Sequence, residues 1–146
     1  MHAGHVGLVI ALALAPSLAG ACDLTPVRIV NGVATVGDVG MTFEEGIPVR
    51  NPDAWQGPLG ISVGAGPACS ASDRVSIIEQ PVMLAGDILY VPTYSGSSNI
   101  VYALDVKTCG VIWRSRDFAG KTVFRKGALI MGGTRVRLDR DCRVVP

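Results

Sequence analysis

From residue 22 onward, short aliphatic and β-branched runs alternate with Gly, Pro, Asn and Asp, and no stretch of a dozen residues carries apolar positions at helical spacing between caps. Successive side chains leave a strand on opposite faces, so such runs are what half-buried strands require. The pattern predicts strands at Val27–Ile29, Val33–Val36, Gly60–Val63, Val75–Ile78, Val82–Leu84, Ile88–Pro92, Ile100–Asp105, Val111–Arg116, Thr122–Arg125, Ala128–Met131, Arg135–Leu138 and Val144–Val145. The expected fold is all-β, a small antiparallel sheet or sandwich. Between Asn51 and Pro67, Asn-Pro, Gln-Gly-Pro and Gly-Pro punctuation marks a long loop region with little regular structure.

The first residues follow a different pattern. Val6 to Leu18 is an apolar run, too short for the roughly 20 residues that span a bilayer, and Ala19-Gly20-Ala21 supplies the small-x-small pattern of signal-peptidase cleavage. Residues 1–21 are therefore expected to be a signal peptide and residues 22–146 a single all-β domain. The leader has no Lys or Arg; His2, His5 and the amino terminus are its only basic groups. Cys22 follows the cleavage point directly, a placement that resembles the lipid-modified cysteine of bacterial lipoproteins. The usual leucine falls four places before it rather than three. If the resemblance holds, Cys22 carries a membrane tether and Asp23 resembles an inner-membrane retention signal; otherwise Cys22 is an ordinary disulfide partner.

Composition narrows the chemistry. The chain has 146 residues, 49% hydrophobic and 17% charged, which calls for a packed core and excludes a disordered charged tail. Both histidines lie in the leader, so the remainder lacks Ser-His-Asp and Cys-His nucleophile pairs, histidine metal sites and a histidine pH switch. There is no phosphate-binding G-x-x-x-x-G-K-[ST], no G-x-S-x-G and no C-x-x-C. Glu44-Glu45 is the only adjacent carboxylate pair, and neighbours on a strand point apart, so a solvated loop is expected there. Cys22, Cys69, Cys109 and Cys142 are widely spaced in a chain expected to be exported, where an oxidising compartment favours disulfides over metal thiolates. No catalytic residue, metal or cofactor is expected.

Residues 87–113 read D-I-L-Y-V-P-T-Y-S-G-S-S-N-I-V-Y-A-L-D-V-K-T-C-G-V-I-W. Val101-Tyr102-Ala103-Leu104-Asp105, Thr108 and Val111-Ile112-Trp113 resemble the blade repeat of pyrroloquinoline-quinone-type β-propellers; Cys109-Gly110 departs from it. A degenerate second copy follows, in which Val136-Arg137-Leu138-Asp139 and Cys142 echo Tyr102-Ala103-Leu104-Asp105 and Cys109. The resemblance implies hairpin geometry and an association with bacterial envelope scaffolds. It implies no closed ring, since at least four blades of about 40 residues are needed. The family's quinone and dehydrogenase activity depend on that ring and do not carry over. On physical grounds, Val101, Ala103, Val111 and Trp113 form one face of a hairpin, Asp105 caps the following turn, and Trp113 covers the seam between hairpins. Cysteines at matching turns make Cys109–Cys142 the preferred bridge, with Cys22–Cys69 following if Cys22 is not lipidated.

Charge is uneven. Residues 22–106 carry three basic and nine acidic residues, net −6, and residues 107–146 carry ten basic and three acidic, net +7. Arg135 and Arg137 share one strand face, as do Arg114 and Arg116. Such a basic face suits an anionic partner, either an acidic protein surface or an anionic envelope component; alternatively the two halves neutralise each other within the fold. Nucleic acid is not expected, because no aromatics interleave with the arginines. The segment Thr93-Tyr94-Ser95-Gly96-Ser97-Ser98-Asn99 has the composition of an adaptable exposed binding loop. The expected function is therefore a periplasmic or secreted, non-enzymatic envelope protein, free or tethered through Cys22, that binds a macromolecule through Tyr94 and these four arginines. One alternative is a periplasmic inhibitor or immunity protein that inserts a protruding loop. Another is a carboxylate-only enzyme, which needs two acids converging in a cleft with no arginine partner.

Overall fold

The computed structural model describes residues 22–146, and the expected leader lies outside the described residues. In chain order the strands are β1 (Thr25–Pro26), β2 (Val33–Val36), β3 (Val39–Thr42), β4 (Gly46–Ile47), β5 (Ala54–Trp55), β6 (Gly60–Val63), β7 (Cys69–Ser70), β8 (Ile78–Glu79), β9 (Met83–Ala85), β10 (Ile88–Ser95), β11 (Ser98–Asp105), β12 (Val111–Arg114), β13 (Thr122–Arg125), β14 (Ala128–Met131) and β15 (Thr134–Arg137). No helix occurs among the described residues, and the fold is all-β.

Three antiparallel sheets stack in layers. The middle sheet has eight strands: β12 pairs with β11 and β11 with β10, while the far edge of β10 is shared between β9, which leads to β1, and β8, which leads to β5 and β4. One outer sheet runs β2-β3-β6-β7 and the other β13-β14-β15. The central β10–β11 hairpin explains the stacking. Leu89, Val91, Tyr102 and Leu104 turn to one face and pack with Met41 and Ile61 of the four-stranded sheet. Ile88, Tyr90, Val101 and Ala103 turn to the other and pack with Leu129 and Met131 of the three-stranded sheet. A strand buried on both faces reads as a continuous apolar run, which is why Ile88-Leu89-Tyr90-Val91 shows no polar alternation. Each such aliphatic side chain contributes about 1.5–3 kcal/mol by leaving water.

Two disulfides cross-brace the layers, and they correct the expected pairing. Cys69 of β7 is bonded to Cys109, in the turn between β11 and β12, and Cys22 is bonded to Cys142, in the turn after β15. Matching turns on consecutive hairpins do not meet, because each lies on its own sheet. Each turn is instead fastened to a segment from elsewhere in the chain. The Cys22 sulfur is thereby occupied, whereas a lipid thioether would require it free.

Further expectations change: Val27–Ile29 forms no strand, and of Val75–Ile78 only Ile78 belongs to one, β8. The stretch from Asn51 to Pro67 is not a loop throughout, since it holds β5 and β6, and Trp55 is buried in the core. The expected Tyr94 loop is a regular hairpin: Tyr94 opposes Asn99, Ser95 opposes Ser98, and only Gly96-Ser97 turns, with Gly96 at φ 61°. Glycine at the first position of a two-residue turn matches the natural twist of the flanking strands. Val144–Val145 makes an isolated bridge to Leu138 rather than a strand.

Candidate functional site

The repeat seen in the sequence is also a repeat of local geometry. Asp105 Oδ1 accepts from the amides of Lys107 at 2.8 Å and Thr108 at 3.1 Å, and Asp139 Oδ1 accepts from the amides of Asp141 and Arg143, both at 2.9 Å. The Cys109 amide donates to the Asp105 carbonyl and the Cys142 amide to the Asp139 carbonyl. Both cysteines adopt left-handed backbone, φ 59° and 63°. A short acceptor side chain that satisfies the amides two or more residues on fixes a tight turn, so both aspartates are structural.

Around Trp113, between the outer strand of the middle sheet and the β14–β15 hairpin, lies an open groove of about 550 Å³. Trp113, Phe118, Met131 and Val136 give it apolar walls, and Arg114, Arg116, Asp117 and Thr134 give it a polar rim. Its shape follows from local chain direction. Beyond β12, Phe118 bridges back to Asn99 and thus stands beside Trp113, while the Gly132-Gly133 turn returns the chain from Met131 to Thr134 on the opposite wall. Asp117 accepts from Arg114 at 3.1 Å and from the Ser98 hydroxyl at 3.0 Å, which aligns the Arg114 guanidinium along the rim. The neighbouring Tyr102, and then Asp117, hold Arg114 above the ordinary arginine pKa. Arg116 has no carboxylate within ion-pair distance among the described residues.

The structure thus divides the residues singled out in the sequence. Arg114 and Arg116 line the groove. Arg135 and Arg137 sit on β15 beside it, exposed, with their side chains on the face opposite to Val136 and Leu138, which face the core. Tyr94 is elsewhere, in a second cleft of about 370 Å³ with Asp53, Glu79, Gln80 and Lys121. There, burial raises the Glu79 carboxyl above its ordinary range, Lys121 pulls it down and Asp53 pushes it up. Glu44 and Glu45 are exposed. The sequence also gave no hint of Phe118, Met131 and Thr134, because their role comes from how two sheets pack. No group of three potential metal-ligating residues occurs among the described residues.

Below the groove, Tyr90 is fully buried and its hydroxyl donates to the Cys142 carbonyl. Burial, and then Asp139, push its pKa up to about 12, against a lowering by Arg143. A phenol whose folded pKa exceeds its unfolded value of about 10 stabilises the fold fully below pH 10, and that contribution is lost as pH rises towards 12. Urea midpoints should therefore fall between pH 10 and 12. Tyr90→Phe should be about 1 kcal/mol less stable at neutral pH and should lack the fraction of the alkaline slope due to Tyr90.

No family model and no curated protein matches this chain.

Proposed function

We propose that this is an exported, disulfide-braced, non-enzymatic protein of the bacterial cell envelope that binds another macromolecule through the groove between β12 and β15. The observation that carries the proposal is the groove itself: an open concavity with aromatic and aliphatic walls and an arginine rim, the composition of a docking surface for an anionic partner. Two disulfides fit an oxidising, periplasmic or extracellular location. With its sulfur committed to Cys142, Cys22 acts as a crosslink rather than a lipid attachment point. The loop-inserting inhibitor is disfavoured because the Tyr94 segment does not protrude as a loop; it is a hairpin with a two-residue turn.

The wild-type protein should co-sediment with an envelope fraction at low salt and be released as ionic strength rises. Arg114→Glu combined with Arg116→Glu should weaken that association at least about tenfold without changing the melting temperature. Equal co-sedimentation of both proteins would refute the proposal. One observation favours a second reading, a carboxylate-only hydrolase: Asp53 and Glu79 line one cleft whose cation is a lysine, not an arginine. On that reading, Glu79→Gln should abolish a hydrolytic activity towards envelope glycans that the wild type displays.

A further inference from the structure

The cleft that holds Tyr94 is built by four separate segments of the chain, and strand alternation explains what points into it. Strand β8 lies between β5 and β10, with Ala54 opposite Glu79, Trp55 opposite Ile78 and Thr93 opposite Ile78. Ile78 and Trp55 turn towards the core shared with the four-stranded sheet. Their chain neighbours Glu79 and Ala54 therefore turn to the other face, as does Tyr94, the neighbour of Thr93. That face looks towards the three-stranded sheet, and Lys121, which precedes β13, closes the cleft from there. Its volume, about 370 Å³, stands at the small end of the roughly 300–1,000 Å³ typical of ligand pockets. The charges in it sense one another without touching. Glu79 is partly removed from water and feels both the attraction of Lys121 and the repulsion of Asp53. Lys121 nevertheless forms no ion pair with either carboxylate among the described residues. A partly desolvated carboxylate near a second one is disfavoured until a cation comes between them.

We infer that this cleft binds a small molecule that carries both ammonium and carboxylate groups with ammonium in excess, the chemistry of a basic amino acid. Two carboxylates and one ammonium in the lining are matched by two ammoniums and one carboxylate in the ligand. The ligand ammoniums sit at Asp53 and Glu79, where they relieve the repulsion, and its carboxylate sits at Lys121. The Tyr94 ring gives the cationic end an aromatic wall. A divalent metal ion fits less well, because Lys121 repels it and no group of three potential metal-ligating residues occurs among the described residues. A neutral sugar leaves the repulsion in place. The site is distinct from the groove between β12 and β15, and in it the carboxylates hold a cation instead of exchanging protons with a glycan.

The test is isothermal titration calorimetry of the intact oxidised protein at fixed salt. Free L-lysine and glycyl-L-lysine present the same charges from two sources, an amino acid and a peptide end, and at least one of them should bind. Tighter binding of the dipeptide assigns the site to a peptide end, and tighter binding of lysine assigns it to the free amino acid. L-norleucine lacks the side-chain ammonium and cadaverine lacks the carboxylate, so each should bind at least about tenfold more weakly. Glu79→Gln should weaken binding of the tighter ligand at least about tenfold. Lys121→Gln should bring that ligand down to the level of cadaverine while cadaverine itself binds as well as before or better. A damaged fold would not produce that selective loss, and the melting temperature of each variant checks it directly. N-acetylglucosamine and calcium should give no heat of binding. No binding of either lysine compound overturns the proposal, as does equal binding of lysine, norleucine and cadaverine. Calcium or sugar binding that Glu79→Gln removes overturns it in favour of that ligand class. Lysine binding indifferent to both substitutions places the ligand elsewhere and overturns it as well.

Discussion

Reducing both disulfides should unfold the protein at neutral pH. The Cys22–Cys142 bridge spans 120 residues and the Cys69–Cys109 bridge 40. On a chain-entropy basis they contribute about 5 and about 4 kcal/mol. The loops are nested, so the two do not simply add, yet either is a large share of the 5–15 kcal/mol that a domain of this size has in total. Removing the first pair, Cys22→Ala with Cys142→Ala, should release the turn after β15 and loosen the three-stranded sheet. Removing the second, Cys69→Ala with Cys109→Ala, should loosen the four-stranded sheet instead. Urea titrations with and without dithiothreitol check this, and an unchanged midpoint in reductant would contradict it.

Leu129→Ala should destabilise by about 3 kcal/mol, the middle of the range for a large-to-small change at a fully buried site. Leu129 is 0% exposed and lies in the core shared by the middle and three-stranded sheets, together with Tyr90, Val101 and Met131. That sheet has only three strands and is joined to the rest through this core and the Cys22–Cys142 bridge, so a cavity there has little structure to collapse into. The loss should be concentrated in β13–β15: exchange should accelerate there first, while amides of β2, β3 and β6 keep their protection. A loss below about 1 kcal/mol, or uniform acceleration, would show that this layer does not depend on Leu129.

The fold class was legible in the sequence because the strands are short and sharply punctuated. Val33–Val36, Gly60–Val63, Thr122–Arg125 and Ala128–Met131 lie where the pattern puts them. The strand Val39–Thr42 was hidden by Gly40, which breaks the apolar alternation; in the sheet it sits opposite Ser62, where an added Cβ would come within 2.8 Å of the serine hydroxyl. Trp55 was hidden because its strand is two residues long and flanked by prolines. The disulfide pairing was misjudged for a different reason. Equivalence along the chain placed Cys109 and Cys142 at like turns, but the two turns belong to different sheets and each is fastened to a segment from elsewhere in the chain. The alternation of Arg135 and Arg137 was readable, as was the shared position of Arg114 and Arg116. That Arg114 and Arg116 line one groove, Arg135 and Arg137 stand on the outward face of β15 and Tyr94 belongs to another cleft depends on sheet packing, which no local pattern encodes.

The central claim, that the groove between β12 and β15 docks a macromolecule, is tested most directly by a photo-crosslinking residue placed at Thr134 in the exported protein in living cells, with the same residue at exposed Thr35 on the four-stranded sheet as reference. Position 134 should yield one discrete adduct that disappears when Arg114→Glu and Arg116→Glu are added, and position 35 should yield none. Equal labelling from both positions, or an adduct at 134 indifferent to the two arginines, would contradict the claim.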